Sequence, residues 1–316
     1  GLDTMPTIPA KVVSSLRLSK DSFLLCYNSM KTQFEDGNYF IYDKKNKKST
    51  AFIVKDFYFT NDTKSRNFLG LPNFFTLSTP GIAYYTNSEY RPKETNRSTY
   101  HLYKYNLLTK KTDKIFSTTY LNDDEWENKG RRKKDKPLAS QQLIIDKENE
   151  ILASAENDDK GSIKIIDIKT NKIIATHPFA FDPAIYKNKN TDFNRFYDRL
   201  PFVIKQVKQI DKNVVRVLGD ETLYEFNLAN GLVKEKKLIE DGMLDEKRNV
   251  NVFGNNKLSS VILTYDDENE TIVKSIHGPN KFKLDHITSP VSNISFTQND
   301  SILYTINADK TMNAYN

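Results

Sequence analysis

Residues 289–316 read SPVSNISFTQNDSILYTINADKTMNAYN, and this stretch decides the fold that the sequence predicts. Apolar and polar residues alternate over residues 291–296 and again over residues 302–306, and an Asn-Asp pair lies between the two runs. Such alternation is typical of half-buried strands, and the Asn-Asp pair is typical of a turn. A third short strand is predicted at residues 311–315. The stretch therefore predicts three strands of an antiparallel meander.

A related form recurs along the chain: a short apolar strand ending in Asp or Asn, a turn rich in Lys and Asn, and a second strand. Four segments have this form, starting at Tyr39 (YFIYDKKNKKSTAFIV), Leu102 (LYKYNLLTKKTDKIF), Ile163 (IKIIDIKTNKIIATH) and Leu223 (LYEFNLANGLVKEKKL). The equivalent polar residues are Asp43, Asn106, Asp167, Asn227 and, after the last strand, Asn316. A further unit, TIVKSIHGPNKFKLDH from Thr271, fills the long gap before Asn316, so six units result.

Each hairpin is preceded by further strand candidates. SLRLSK and SFLLCY precede the first hairpin, and LASQQLIID and EILASAE precede the third. Four strands in each unit is the size of a β-propeller blade.

The closing stretch resembles the last blade of a WD40-type β-propeller. Blades of that family typically end in an Asp-Lys-Thr turn, followed by a short strand with an aromatic residue and then Asp or Asn. Here the turn is Asp309-Lys310-Thr311, and Tyr315-Asn316 stands where the family has Trp-Asp. The resemblance implies a WD40-like repeat protein; because no unit ends in Trp-Asp, it does not identify a subfamily.

We therefore predict an all-β chain that forms one β-propeller domain of six four-stranded antiparallel blades over residues 1–316. Seven blades, or a β-sandwich or barrel, are the alternatives. An N-terminal strand at residues 6–13 is expected to complete the last blade and close the ring, which removes an exposed sheet edge. The predicted blades cover residues 14–56, 66–117, 138–178, 202–239, 248–286 and 289–316, and irregular insertions are predicted at residues 117–137 and 179–201.

Composition favours a folded protein, because 38% of the residues are apolar and 28% are charged. No apolar run approaches the length of a membrane helix, and the first residues lack the pattern of a signal segment. Cys26 is the single cysteine, which excludes intrachain disulfides and thiolate metal clusters; we expect it to be a buried core thiol. These features favour the cytoplasm or nucleus, with an exported or periplasmic protein as the alternative.

Motifs for catalysis are missing from the sequence. It contains no HExxH, no GxSxG, no GxxxxGK[ST] and no GxGxxG, and its four histidines are far apart. The acidic clusters at residues 123–127 and 266–270 lack the spacing of a calcium loop, so we expect solvated turns there. We predict no enzyme, no cofactor and no metal site.

Candidate partner-binding residues lie in the two insertions. The first insertion places a lone Trp among acidic residues, followed by a basic run; the second is rich in aromatic residues and Arg, with FNRFYDRL as a possible short helix. Aromatic residues and Arg are enriched at binding hot spots. The candidates are Trp126, Arg131, Arg132, Lys133 and Lys134 in the first insertion, and Phe193, Arg195, Phe196, Tyr197 and Arg199 in the second. A smaller patch of the same type is predicted at Tyr84, Tyr85, Tyr90 and Arg91.

The leading functional hypothesis is a non-enzymatic scaffold that docks protein partners as a subunit of a larger complex. The net charge of +6 favours acidic partners. A second hypothesis is an exported propeller that binds or hydrolyses a small ligand in its central channel. A third is a basic propeller that contacts nucleic acid, for which binding would weaken steeply with salt.

Overall fold

The computed structural model describes eleven stretches of the chain, and every regular element in them is a β-strand. Within these stretches there is no helix, and hence none that could cross a membrane. The chain divides into two compact units, residues 1–134 and residues 135–316, each described here by itself. The described residues are 10–29, 39–54, 73–91, 97–121, 143–156, 162–178, 204–219, 222–239, 250–265, 270–287 and 289–316.

The first unit contains sheets one and two, each of four antiparallel strands that pair in chain order. An aromatic core, which includes Tyr39, Phe52, Tyr85 and Tyr103, packs between them. The strands of sheet one are β1 (Ala10–Arg17), β2 (Ser22–Ser29), β3 (Tyr39–Asp43) and β4 (Lys48–Ala51). Those of sheet two are β5 (Asn73–Thr76), β6 (Ile82–Arg91), β7 (Arg97–Asn106) and β8 (Lys111–Leu121).

The second unit contains sheets three to six, again antiparallel meanders in chain order. Sheet three has β9 (Ile144–Asp146), β10 (Ile151–Glu156), β11 (Ser162–Asp167) and β12 (Lys172–Pro178). Sheet four has β13 (Ile204–Asp211), β14 (Val214–Gly219), β15 (Thr222–Asn227) and β16 (Val233–Lys237). Sheet five has β17 (Val250–Gly254), β18 (Ser260–Tyr265), β19 (Glu270–Ser275) and β20 (Lys281–Lys283). Sheet six has β21 (Val291–Phe296), β22 (Leu303–Asn307) and β23 (Met312–Tyr315).

The first strands of neighbouring sheets lie beside one another in the second unit. β13 contacts β9 and β10 of sheet three, and it also contacts β17 of sheet five. Apolar side chains fill the space between neighbouring sheets: Ile165 with Val215 between sheets three and four, and Leu218 with Val261 between sheets four and five. Sheet four is therefore buried on both faces near its centre.

The hairpins between third and fourth strands share one turn chemistry in sheets one to four. The Asp or Asn that ends the third strand accepts the backbone N–H groups two and three residues ahead, which satisfies donors inside the turn. These residues are Asp43, Asn106, Asp167 and Asn227, with N···O distances of 2.9–3.3 Å. A residue with positive φ follows in each turn: Lys47 (49°), Lys110 (56°), Asn171 (55°) and Gly231 (72°).

The predicted all-β class and the six antiparallel sheets are confirmed, with four strands in each of sheets one to five. Sheet six has three strands within the described residues. Successive four-stranded meanders are the form of propeller blades. The single-domain boundaries stay a prediction.

Two predicted details are wrong. Residues 10–13, expected to complete the last blade, belong to the eight-residue strand β1 and lie beside β2, because the pairing of the two strands continues past a register shift between Val12 and Ser14. The first insertion was predicted to begin at residue 117, but β8 runs on to Leu121, since β7 is long enough to pair with it from Arg97 onwards.

Candidate functional site

The predicted partner-binding residues of both insertions lie outside the described residues, as does the predicted short helix. They are Trp126, Arg131, Arg132, Lys133, Lys134, Phe193, Arg195, Phe196, Tyr197 and Arg199. Of the smaller predicted patch, Tyr84 and Tyr85 are buried and stack on Phe75 and Tyr103. The expectation that these two tyrosines form a surface patch is therefore wrong, because they lie in the buried part of β6, residues 82–85, which is a central strand of its sheet.

A cavity of about 220 Å³ opens in the second unit where the first strands of sheets four, five and six meet. β13 contributes Lys205 and Gln206, β17 contributes residues 251–254, and β21 contributes Ile294. Its walls combine an ammonium, two amides and apolar side chains. The candidates chosen from the sequence include none of these residues, because the cavity depends on which strands of separate sheets become neighbours.

Close packing fixes the wall of this cavity at Gly254. The Gln206 amide donates from Nε2 to the carbonyl of Asn255 at 3.0 Å, which holds its Oε1 atom towards Gly254. A β-carbon on residue 254 would lie 2.7 Å from that oxygen and 2.2 Å from Cδ2 of Leu258. Only glycine fits here without displacing its neighbours.

A buried carboxylate joins sheets three and four. The Asp146 side chain, 2% exposed, accepts the backbone N–H of Gln209 at 2.9 Å, and the Lys208 ammonium lies 3.5 Å from its other oxygen. Asn149 donates to Asp146 at 2.7 Å and to the Gln209 carbonyl at 3.3 Å. Lys208 also pairs with Glu148. Burial alone would lower the pKa of Lys208, but the hydrogen bond to Glu148 and the charges of Asp146 and Glu148 outweigh it and raise that pKa.

A buried arginine joins sheets four and five. The Arg216 side chain, 6% exposed, pairs with Glu225 on the adjacent strand at 2.9 Å and donates to the Leu258 carbonyl of sheet five at 2.9 Å. Its remaining terminal nitrogen contacts Nε2 of His277, in the β19–β20 turn. Arg216 is thus surrounded by three acceptors, two of them on sheet five.

Asp300 joins sheets five and six. Its carboxylate accepts the backbone N–H groups of Asn256 at 2.9 Å and Lys257 at 3.1 Å, and the Asn255 side-chain amide at 3.1 Å. Asp300 itself has a φ of 60°, a conformation that Asp tolerates better than most residues. The first turn of sheet five is therefore held by the first turn of sheet six.

Exposed apolar side chains lie at the hairpins between third and fourth strands. In the second unit they are Ile173 (53% exposed), Leu232 (63%) and Phe282 (58%). Lys172 precedes Ile173, Lys281 and Lys283 flank Phe282, and Lys234 lies two residues beyond Leu232. Leu108, 90% exposed, is at the same type of hairpin in the first unit, followed by Lys110.

The titratable groups of the described stretches supply no evident catalytic arrangement. Within those stretches, no group of three or more His, Cys, Asp or Glu side chains is placed to hold a metal ion. Cys26, expected to be buried, is only half-buried; burial raises the pKa of its thiol despite hydrogen bonds with Tyr39 and Ser14. Burial and the neighbouring Cys26 likewise raise the pKa of Tyr39. A raised thiol pKa disfavours the nucleophilic thiolate.

Comparisons with known proteins show a similarity of fold but do not identify a family. No protein-family model matches the chain, and no curated protein matches it. Among solved structures it is similar to a chain of the crystal structure of the mitotic checkpoint complex, with 13% identity and a TM-score of 0.41, covering 98% of this chain and 75% of that one. It is also similar to the β-propeller domain of the Trilobed protease from Pyrococcus furiosus, which has an open velcro topology. The identity is 11% and the TM-score is 0.46, and the match covers 99% of this chain and 82% of that one.

Proposed function

We propose that the protein is a non-enzymatic docking platform for protein partners and a subunit of a larger assembly in a reducing compartment. The observation that carries the proposal is the set of exposed apolar side chains beside lysines at the third hairpins of sheets three to five: Ile173, Leu232 and Phe282. We call these three residues and the neighbouring Lys172, Lys234, Lys281 and Lys283 the hairpin surface.

The hairpin surface combines two kinds of attraction. Each apolar side chain leaves more than half of its area in contact with water, and covering such area stabilises a complex by roughly 25 cal/mol per Å². The neighbouring ammonium groups favour carboxylates and fix the orientation of a partner. A partner segment that alternates acidic and apolar residues fits this surface.

The hairpins of sheets three and four are suited to present Ile173 and Leu232 because their turns are internally bonded. Asp167 accepts the N–H groups of Lys169 and Thr170, and Asn227 accepts those of Ala229 and Asn230. A preorganised turn loses little conformational entropy when a partner binds.

The test is affinity capture of the tagged full-length protein from its native cells, with quantitative mass spectrometry of the chains that co-purify. We expect the triple variant Ile173→Ser, Leu232→Ser, Phe282→Ser to lose a stoichiometric partner. Met312→Ser is the matched control, because Met312 is 65% exposed but lies outside the hairpin surface. Full retention of every partner by a folded triple variant would contradict the proposal.

The predicted contacts of the second insertion extend the same proposal. Replacing Phe196, Tyr197 and Arg199 with Ala is expected to abolish capture of a partner that uses them as anchors. Because the two triple variants alter separate segments, comparing their lost partners tells whether one partner spans both.

A second candidate function, binding of a small ligand, is favoured by the cavity between β13, β17 and β21. At about 220 Å³ it is smaller than most drug-sized pockets, so its ligand would have few heavy atoms. Lys205 and Asn251 on the wall favour a carboxylate, and Phe253 and Ile294 a short apolar part. Titration with propionate, followed by NMR shifts of the β17 amides, tests this; a Lys205→Met variant that binds propionate as tightly as the wild type would contradict it.

The third candidate, contact with nucleic acid, rests on the net charge of +6. It predicts an affinity for nucleic acid that falls steeply as salt concentration rises. Salt-insensitive binding, or none, would exclude it.

A further inference from the structure

Four buried polar side chains lie on facing sides of sheets five and six. They are Thr264 on β18, Thr271 on β19, and Thr305 and Asn307 on β22, each at most 2% exposed. We call these four residues the polar layer. Among the described residues, the hydroxyls of Thr264 and Thr271 and the Oδ1 atom of Asn307 have no hydrogen-bond partner. Buried polar atoms in proteins are rarely left so, because burial without a partner costs free energy.

The alternation of side chains along β18 turns Thr264 and Thr271 towards sheet six. On β18, Leu263 packs in the core with sheet four, whereas Ile262 packs in a cluster with Leu303 of sheet six. Thr264 lies two residues beyond Ile262 and therefore on the same face. Thr271 is the direct cross-strand partner of Thr264 on β19, so both hydroxyls lie on the face towards sheet six.

The same alternation turns Thr305 and Asn307 towards sheet five. They follow Leu303 at the next two positions on its face of β22. The Asn307 amide donates from Nδ2 to Oγ1 of Thr311 at 2.9 Å. Its Oδ1 atom is therefore the part of this amide that still needs a donor.

The turns that precede β18 and β22 place Thr264 and Thr305 at one level. Asp300, in the turn before β22, accepts backbone N–H groups of the turn before β18. The two strands therefore begin beside one another and run in the same direction. Ile262 and Leu303 share an apolar cluster near these turns. Thr264 and Thr305 come two residues later on their strands, so polar side chains face one another there.

The cavity between β13, β17 and β21 borders the polar layer. Asn251 of its wall is the cross-strand partner of Thr264, and Ile294 of its wall is the cross-strand partner of Thr305. Asn251 is exposed, whereas Thr264 is buried, so the interior begins one strand behind the wall. A cavity of about 220 Å³ has room for several water molecules, since each occupies about 30 Å³ of the liquid.

We propose that the polar layer binds internal water molecules at the inner end of the cavity, between sheets five and six. The β-carbons of directly opposite residues such as Thr264 and Thr271 lie about 4.5–5.5 Å apart, a span that one water molecule bridges. Water also supplies the donor that Oδ1 of Asn307 requires. The contact between sheets five and six thus includes hydrogen bonds through water beside its apolar cluster.

The experiment compares the full-length wild type with the double variant Thr264→Val, Thr271→Val, which keeps the shape of both side chains and removes both hydroxyls. Magnetic relaxation dispersion of solvent oxygen measures long-lived internal water, and we expect this signal to decrease in the double variant. We expect Tm to fall by roughly 4–8 °C, because two hydrogen bonds are lost. Hydroxyls that bound no water would give the opposite result, since their removal would end a desolvation cost and raise Tm.

The double variant Thr264→Ser, Thr271→Ser is the matched control. It keeps both hydroxyls and loses only methyl groups, so we expect it to keep the relaxation signal of the wild type. A Ser variant that loses as much of this signal as the Val variant would overturn the proposal, because the hydroxyls would not be the groups that hold the water.

A crystal structure of the unaltered protein keeps the proposal testable if a variant fails to fold. We expect ordered water within about 3.2 Å of the hydroxyl oxygens of Thr264 and Thr271. The proposal is overturned by a high-resolution structure with no water at either hydroxyl, by an unchanged relaxation signal in the folded Val variant, or by a Tm of that variant at or above that of the wild type.

Discussion

The Asp146 carboxylate accepts the backbone N–H of Gln209 across 2.9 Å, although the two residues are 63 positions apart in the sequence. Asp146 also accepts the N–H groups of Glu148 and Asn149 in its own turn. One side chain therefore shapes the first turn of sheet three and binds that turn to the first strand of sheet four.

Replacing Asp146 with Ala is expected to lower the free energy of unfolding by about 2–4 kcal/mol, because it leaves buried donors without their acceptor and removes one of the two carboxylates that pair with Lys208. Chemical denaturation of the full chain, followed by circular dichroism, measures this. Asp167→Ala is the matched control, since Asp167 shapes a turn of the same sheet but accepts from exposed N–H groups within that turn. Equal losses in the two variants would refute a special role for the contact with Gln209.

Gly254→Ala is expected to destabilise the protein by about 1–3 kcal/mol, because the added methyl group overlaps Leu258 and the Gln206 amide. Gly278→Ala is the control, since the nearest atom to its added β-carbon is 3.9 Å away. Thermal unfolding compares the two. A Gly254→Ala variant as stable as Gly278→Ala would contradict this prediction, because it would show that the Leu258 and Gln206 side chains move aside at little cost in stability.

Alkaline pH should weaken the contact between sheets three and four. The pKa of Lys208 is raised above its value in the unfolded chain, so its ion pairs contribute stability below the unfolded pKa, and this contribution is lost as pH rises through the folded pKa. We expect the wild type to lose stability above about pH 10.5 more steeply than Lys208→Met, in which this group cannot titrate. Denaturation midpoints of the wild type and Lys208→Met, measured from pH 8 to 11.5, test this difference in pH dependence. Parallel curves for the two proteins would contradict the prediction.

Asp300→Asn should weaken the contact between sheets five and six by about 1–3 kcal/mol, because either orientation of the amide turns its NH₂ group towards a backbone N–H donor. The conformation at residue 300 is preserved, since Asn tolerates positive φ as Asp does. Hydrogen exchange at the amides of Asn256 and Lys257 provides the measurement. Asp309→Asn is the control, because Asp309 accepts from Thr311 within its own sheet; unchanged exchange in Asp300→Asn would contradict the assignment.

The sheets were predictable because the signals for strands and turns are local. The equivalence of Asp43, Asn106, Asp167 and Asn227 was visible in the sequence, since each of these residues bonds to a turn within three positions of itself. Residues 10–13 were assigned to the last blade and not to the first, because alternation predicts a strand without naming its neighbour.

The candidate site was much less predictable, because it depends on contacts between sheets. Nothing local distinguishes Lys205 from other strand lysines or connects Arg216 with His277, which is 61 positions away. Tyr84 and Tyr85 were misjudged for the same reason: aromatic residues in a strand suit a binding surface and a core equally well until their neighbours are known.

In the hairpins whose turns are bonded by Asp167 and Asn227, forming the turn and presenting side chains to a partner depend on different residues. Because Asp167 and Asn227 accept the N–H groups inside their turns, the side chains of Ile173 and Leu232 take no part in that bonding. Substitutions at the tips can therefore accumulate, or be introduced by design, one hairpin at a time. Each of these sheets can change its partner while keeping its fold.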